Sequence, residues 1–391
     1  MYENLNDTKL LDSSNFVTKH QISNEIERVL KHININMDYF KDDFPTPATF
    51  NGKYKIMQNT EWTNGLWTGM LWLAYEYTAD SKYRCLAEKN VESFENRITK
   101  KVSVDNHDLG FLFIPSVVSD YKITGNNNAK NIALKAAKQL TTRYHPEVGF
   151  IQAWGDMNSD DNYRLIIDSL MNIPLLYWAE DITGDHKFGQ IADKHYANVL
   201  NTVIRKNGST YHTYYFDKKS GLPLRGATHQ GYSDNSSWTR GQAWAVYGIP
   251  LHYVYRHDKK DFKIFAGVTN YFINRLPKDY VPYWDLIFTD GDKQPRDSSS
   301  GAIVMCGILE MLKHLPETFE NKYNYVSVLH RMMKSMIRNY SNNDFSSGAP
   351  LLNHGVYSWH SGKGVDEGNL WGDYFYFESL IRFYEDWEIF W

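Results

Sequence analysis

Residues 163–176 read Tyr163-Arg164-Leu165-Ile166-Ile167-Asp168-Ser169-Leu170-Met171-Asn172-Ile173-Pro174-Leu175-Leu176, an apolar run broken near its centre by one carboxylate. A helix that is apolar nearly all round has no face for water and must be buried. Five other stretches share this design, a small, polar or aromatic cluster followed by an apolar run. They are Trp62-Thr63-Asn64-Gly65-Leu66-Trp67, His107-Asp108-Leu109-Gly110-Phe111, Trp238-Thr239-Arg240-Gly241-Gln242-Ala243-Trp244, Asp297-Ser298-Ser299-Ser300-Gly301-Ala302 and Gly368-Asn369-Leu370-Trp371-Gly372-Asp373. Between them lie six runs with one charged face: Ile22 to Met37, Lys82 to Thr99, Ala129 to Tyr144, His186 to Ile204, Phe262 to Leu276 and Tyr323 to Asn339.

Six buried helices alternating with six amphipathic ones imply two concentric rings, an all-α (α/α)6 barrel. The clusters recur roughly every 45 to 75 residues, the length of a helical hairpin plus a loop. Inner helices of such a ring run parallel, so their polar openings converge on one mouth, the expected active site. Two separate bundles would call for a linker near the midpoint, and the sequence offers no Pro/Gly/Ser-rich one. We therefore expect a single catalytic domain over 1–391, with residues 1–20 as an N-terminal extension. Residues 208–217 alternate like a hairpin strand and are expected as a loop excursion at the mouth.

Composition narrows the function. A formal net charge of −4 and no Lys/Arg block argue against nucleic acid as a partner. The cysteines, Cys85 and Cys306, form no disulfide framework or zinc motif, which suits a reducing compartment. The start of the chain is polar and acidic, and no apolar stretch reaches a membrane span of roughly 18 residues. These features are those of a cytoplasmic protein with no membrane contact and no obligate protein partner. No phosphate-binding loop, dinucleotide fingerprint, serine elbow or His-Glu-x-x-His motif is present, so neither a cofactor nor a metal is expected. The aromatic load is heavy, with 12 Trp, 28 Tyr and 20 Phe, 15% of the chain. Rings on a polar background suit sugars, whose C–H faces stack while their hydroxyls hydrogen-bond.

Two carboxylates stand out against that background. Asp108 opens one inner run, where a helix N-terminus favours its anion. Asp168 lies within the next, where apolar surroundings should hold its proton to higher pH. Carboxyl groups with pKa values pushed apart form the acid/base pattern of a sugar-cleaving site. Near the C-terminal end, Ser358-Trp359-His360-Ser361-Gly362-Lys363-Gly364 places two hydroxyls and a lysine among glycines, an arrangement suited to an oxyanion.

The segments His107-Asp108-Leu109-Gly110-Phe111, Ile166-Ile167-Asp168-Ser169-Leu170-Met171-Asn172 and Trp238 to Trp244 together resemble the unsaturated glucuronyl hydrolases of glycoside hydrolase family 88. The likeness runs from about Trp62 to Trp371. It implies an (α/α)6 barrel that removes the 4,5-unsaturated uronic acid left at a non-reducing end by a polysaccharide lyase. It also implies that the residue matching Asp168 protonates C4 of a vinyl ether and then assists water at C5. Asp108 matches the second essential aspartate, which holds substrate hydroxyls. By the same likeness Gln230, His212 and Trp244 join Arg240 around the substrate carboxylate, to which arginine offers a planar fork. His107, Trp62 and Trp154 line the ring. Bacterial members with a similar Ser-x-x-Ser-x-Lys arrangement favour sulfated glycosaminoglycan disaccharides, and Ser358, Ser361 and Lys363 keep all three positions. The competing expectations are an unsaturated rhamnogalacturonyl hydrolase acting on pectin fragments and a sugar-binding or epimerase-like barrel. The Ser/Lys loop argues against the first, and the two unlike carboxylates against the second.

Overall fold

The computed structural model describes residues 1–6 and 16–391. Residues 7–15 of the expected N-terminal extension lie outside the described residues. Helix α1 (Lys19–Phe40) takes the last two positions of that extension, and Thr18 caps it, its hydroxyl accepting from Gln21 N while the Gln21 side chain accepts from Thr18 N. This reciprocal capping satisfies two of the donors that a helix start leaves free.

The remaining helices follow as α2 (Asn64–Thr78), α3 (Ser81–Thr99), α4 (Leu109–Phe113), α5 (Ser119–Thr124), α6 (Asn127–Thr141), α7 (Pro174–Thr183), α8 (His186–Thr202), α9 (Thr239–Arg256), α10 (Lys260–Ile273), α11 (Ser298–His314), α12 (Lys322–Ser335) and α13 (Leu370–Tyr384). A π-helical turn, Ile114–Val118, joins α4 to α5, so the two act as one inner helix. Packing then closes a ring: α2 on that turn, α4 on α7, α7 on α9, α9 on α11, α11 on α13, and α13 back on α2. The outer layer is α1, α3, α6, α8, α10 and α12, each packed on an inner helix. This is the (α/α)6 barrel, and its outer helices fall on the six amphipathic runs. The inner helices carry the core: thirteen of the seventeen positions of α11 are buried, and all residues of α13 from Leu370 to Arg382 are.

One inner run differs from its expectation. Residues 163–176 are not a helix with Asp168 inside. Arg164–Ile166 form a strand, Ile167–Met171 a 3-10 turn, and α7 begins only at Pro174. The β-branched Ile166 suits a pleated strand. Pro174 stands at the first helical turn, where its missing N–H costs nothing. The strand also has a partner that sequence periodicity does not reveal. It pairs antiparallel with Thr213–Phe216, which in turn pairs with Pro223–Ala227. The hairpin expected around 208–217 is therefore the centre of a three-stranded sheet, and that sheet draws residues 164–166 out of the helical pattern.

Two glycines let neighbours close on the Asp168 turn. A Cβ on Gly110 of α4 would lie 2.4 Å from Asn172 Cα, and one on Gly248 of α9 would lie 2.4 Å from Leu170 Cβ.

Candidate active site

The polar openings of the inner ring surround a cavity of about 330 Å³. Nine of the twelve expected site residues line it: Trp62, His107, Asp108, Trp154, Asp168, His212, Gln230, Arg240 and Trp244. Residues separated by up to 182 positions in the chain thus share one wall, because parallel inner helices present the same end.

At the floor, His107 Nε2 lies 3.3 Å from Asp168 Oδ1 and 3.4 Å from Asp108 Oδ1. His107 is almost fully buried, which pushes its pKa down to about 3 and makes it a neutral imidazole. The two carboxyl groups retain about a fifth of their surface, 23% for Asp108 and 21% for Asp168. Burial raises both. Asp108 goes up to about 7, and Asp168 well above the usual carboxylate range, helped by the Asp108 charge and opposed by Arg240. Asp168 Oδ1 is buried with no hydrogen-bond partner, so the anion lacks a donor at that oxygen.

The expectation that Asp108 stays ionised is thereby corrected. It does occupy the N-cap position of α4, but its side chain makes no capping hydrogen bond, and desolvation outweighs the dipole of a five-residue helix. The Asp108 charge adds to the rise at Asp168. The two must titrate together, since each charge opposes the other.

The same three residues amend the reasoning about metals. Spacing along the chain shows no ligand cluster, yet His107, Asp108 and Asp168 bring donor atoms within 4.8 Å of one another, close enough to hold a cation. Sequence spacing misses this because 60 residues separate the two aspartates. A cation there would need both carboxylates ionised, against the burial that protonates them.

Arg240 is 2% exposed and sandwiched, its guanidinium 4.4 Å from the Trp238 ring centroid and 4.7 Å from that of Trp371. Both of its terminal nitrogens are already engaged. Nη2 donates to Gln230 Oε1 at 2.6 Å and to Tyr357 O at 2.8 Å, while Nη1 donates to Val356 O and faces Asp297 Oδ2 at 3.6 Å. The fork expected to meet a substrate carboxylate thus holds Gln230 by its carbonyl, leaving the amide N–H groups of Gln230 to donate. His212 Nδ1 accepts from His229 N at 2.9 Å, which leaves the proton of the neutral ring on Nε2. Burial lowers its pKa well below the usual histidine value. Trp62 stacks on Trp371 at 5.2 Å and donates from Nε1 to Tyr357 Oη at 3.1 Å. Trp154 carries the guanidinium of Arg164 at 4.1 Å.

Ser358, Ser361 and Lys363 do not line the cavity. They sit on the strands Gly355–Ser358 and Lys363–Glu367 and the turn between them. Lys363 Nζ lies 4.4 Å over the ring of Tyr357, which does line the cavity, so the trio stands one residue outside the wall. The turn is pinned by Trp359 stacking on Trp284 at 5.1 Å and by His360 Nε2 bonding Gly231 O at 2.6 Å.

Four contributors stand out among those the sequence did not point to as site residues. Tyr357 and Arg97 line the cavity, Asp297 is the carboxylate facing Arg240, and Asn172 joins the segments that carry Asp108 and Asp168. Asn172 accepts from Phe111 N at 3.0 Å, donates to Asp168 O at 3.2 Å and bonds the Asp108 side chain. Asn172 and Asp297 both stand inside stretches that the sequence singles out, and that placement was the available signal.

A helical barrel with two largely desolvated carboxyl groups and stacked tryptophans at one mouth has the make-up of a carbohydrate-active enzyme. The Glycosyl Hydrolase Family 88 model matches residues 36–349, and the chain belongs to that family. It is 55% identical over 389 residues to an unsaturated chondroitin disaccharide hydrolase of Streptococcus agalactiae, covering 100% of this chain and 98% of that one. The crystal structure of an unsaturated glucuronyl hydrolase from Streptococcus agalactiae matches with a TM-score of 0.98 at 54% identity, covering 100% and 98% of the two chains. A crystal structure of a variant of the Streptococcus agalactiae enzyme, complexed with dGlcA-GalNAc6S, matches with a TM-score of 0.91 at 52% identity over the same shares. Among the described residues no helix is long and apolar enough to cross a membrane.

Proposed function

We propose that this enzyme releases the 4,5-unsaturated uronic acid from the non-reducing end of lyase-generated glycosaminoglycan disaccharides, sulfated chondroitin disaccharides first and hyaluronan disaccharides as well. One observation carries the reading: a carboxyl group, Asp168, held protonated by burial, opens on a cavity beside a second carboxylate and a neutral imidazole.

The substrate bears a C4=C5 double bond conjugated to its ring oxygen. Asp168 gives its proton to C4, the π electrons form the new C–H bond, and the positive charge at C5 is shared with the ring oxygen. The resulting carboxylate accepts a proton from the water that adds at C5. The hemiketal then opens and the second sugar leaves. An acid for this step must still carry its proton at working pH, as Asp168 does and an exposed aspartate would not. The nearby Arg240 charge favours the carboxylate that forms when the proton leaves.

Spacing also argues against ordinary hydrolysis with inversion. That reaction leaves roughly 6.5 to 9.5 Å between two carboxyl groups for a water, whereas here their nearest donor atoms lie within 4.8 Å. Asp108 holds a substrate hydroxyl, and its charge state tunes Asp168. Gln230 and His212 donate to the uronate carboxylate within the positive field of Arg240, with Trp244 beside them, while Trp62 and Trp154 pack the ring. Ser358, Ser361 and Lys363 take a sulfate on the second sugar. In this reading residues 1–391 form one cytoplasmic catalytic domain that needs no cofactor.

Unsaturated uronic acids absorb in the near ultraviolet. Loss of that absorbance with chondroitin-, hyaluronan- and pectin-derived disaccharides tests the reading, and turnover of the pectin product alone would overturn it.

A further inference from the structure

His195 belongs to the outer helix α8, yet it touches two segments that build the cavity floor. It is fully buried, and its two ring nitrogens are both engaged. Ile151 N donates to Nδ1 at 2.8 Å. A backbone N–H can only donate, so Nδ1 is the unprotonated nitrogen and the proton of the ring sits on Nε2. Nε2 lies 2.7 Å from Ser169 Oγ, and Ser169 Oγ donates to Ile166 O at 2.6 Å. One directed chain therefore runs from Ile151 N through the imidazole and the Ser169 hydroxyl to the carbonyl of Ile166. Burial pushes the His195 pKa down to about 3, so the ring stays neutral and the direction of the chain does not change at working pH.

The chain ends on the turn that carries Asp168. Ile166 and Ser169 bracket that aspartate, and the turn has no regular helix to hold it. The other end is equally placed, because two residues beyond the strand end at Ile151 comes Ala153, whose carbonyl accepts from His107 N at 2.8 Å. His195 thus joins the backbone that supports His107 to the turn that presents Asp168.

We propose that His195 is a positioning residue for the proton donor, setting the place of Asp168 through its Nε2–H bond to Ser169. This rests on Asp168 being the proton donor. Two variants separate the positioning bond from the packing of the ring. In His195→Asn the amide oxygen takes the place of Nδ1 and keeps the bond from Ile151, but the side chain is too short to reach Ser169. In His195→Gln the amide nitrogen takes the place of Nε2 and restores the donor to Ser169.

With an unsaturated chondroitin disaccharide we expect His195→Asn to lower kcat by about 10- to 100-fold with KM within about twofold, since a misplacement of roughly 1 Å is worth up to about 10² in rate. His195→Gln should return kcat to within about threefold of wild type. Wild-type kcat in a folded His195→Asn variant, a Gln variant as slow as the Asn variant, or a loss carried by KM would overturn the proposal. Should His195→Asn fail to fold, Ser169→Ala cuts the same link while leaving the bond to Ile151. It is expected to show the same loss in kcat, and an unchanged kcat would overturn the proposal. Asp168→Asn is measured alongside. Substantial activity in that variant would sink the assignment of the donor, whereas an inactive Asp168→Asn beside an unaffected His195→Asn sinks only the role of His195.

Discussion

The cavity floor and the Ser358 to Lys363 turn are both built of polar side chains, and they are held in opposite ways. On the floor, Asp108, Asp168 and His107 are desolvated, with Asp168 Oδ1 and His107 Nδ1 lacking hydrogen-bond partners, and α4 and α9 close on the turn that carries Asp168. On the turn, Ser361 and Lys363 are exposed, and the anchors are their neighbours Trp359 and His360. Water still competes for the lysine and the hydroxyls, whereas little water remains to stabilise the Asp168 anion. The difference separates two tasks. Protonating carbon needs an acid whose anion is disfavoured, which only burial supplies. Reading a sulfate needs charge that a ligand can reach, and each contact is worth only what it gains over water.

Breaking the floor should have the largest effect. Asp168→Asn keeps the shape but removes the proton, and turnover should fall by roughly 10²- to 10⁴-fold or more, general acid catalysis and the later base role being lost together. A variant retaining over about a tenth of the wild-type rate would show that the floor does not carry the chemistry. Breaking the turn should cost less and be selective. Charge-assisted hydrogen bonds are worth roughly 1.5 to 3 kcal/mol each, so Lys363→Ala with Ser361→Ala should lower kcat/KM at least about tenfold on a sulfated chondroitin disaccharide. The unsulfated disaccharide should be nearly unaffected. Equal losses on both would mean that the turn only shapes the mouth.

Burial of the floor also has a stability cost that depends on pH. A carboxyl whose folded pKa is raised binds its proton in the folded state while the unfolded chain has already lost it. Stability therefore falls as pH rises from about 4, the unfolded value, through the folded value, about 7 for Asp108. Asparagine has no proton to lose. Asp108→Asn should gain on wild type in Tm by about 1 to 3 °C between pH 5 and pH 8, by calorimetry. A gap that shrinks over that range would mean that Asp108 is not desolvated as described. The smallest expected effect concerns the cation geometry of the floor. Exhaustive chelation should leave the rate unchanged, because protonated carboxyls are poor metal ligands. Activity that vanishes with chelator and returns with one metal would turn the acid site into a metal site.

The barrel was legible in the sequence because burial leaves a periodic signature: an inner helix is apolar all round and an outer one on a single face. The mouth was legible for the same reason, since polar clusters at the starts of apolar runs have few other places to go. Nine site residues follow from that convergence together with the family likeness. What the sequence could not supply are relations between distant segments. Residues 164–166 look helical until Thr213–Phe216 pairs with them, and that pairing turns Asp168 from a helix-interior residue into one on a largely buried 3-10 turn. Asp108 reads as a helix-cap anion until the cavity around it is closed, after which the lost hydration outweighs the helix dipole. Arg240 reads as a free fork until Gln230, Val356, Tyr357 and Asp297 surround it. Local propensity and hydrophobic period act within a few residues of a position and survive in the string of letters. Desolvation, strand pairing and charge pairing depend on which atoms meet through space, and the tertiary structure alone decides them.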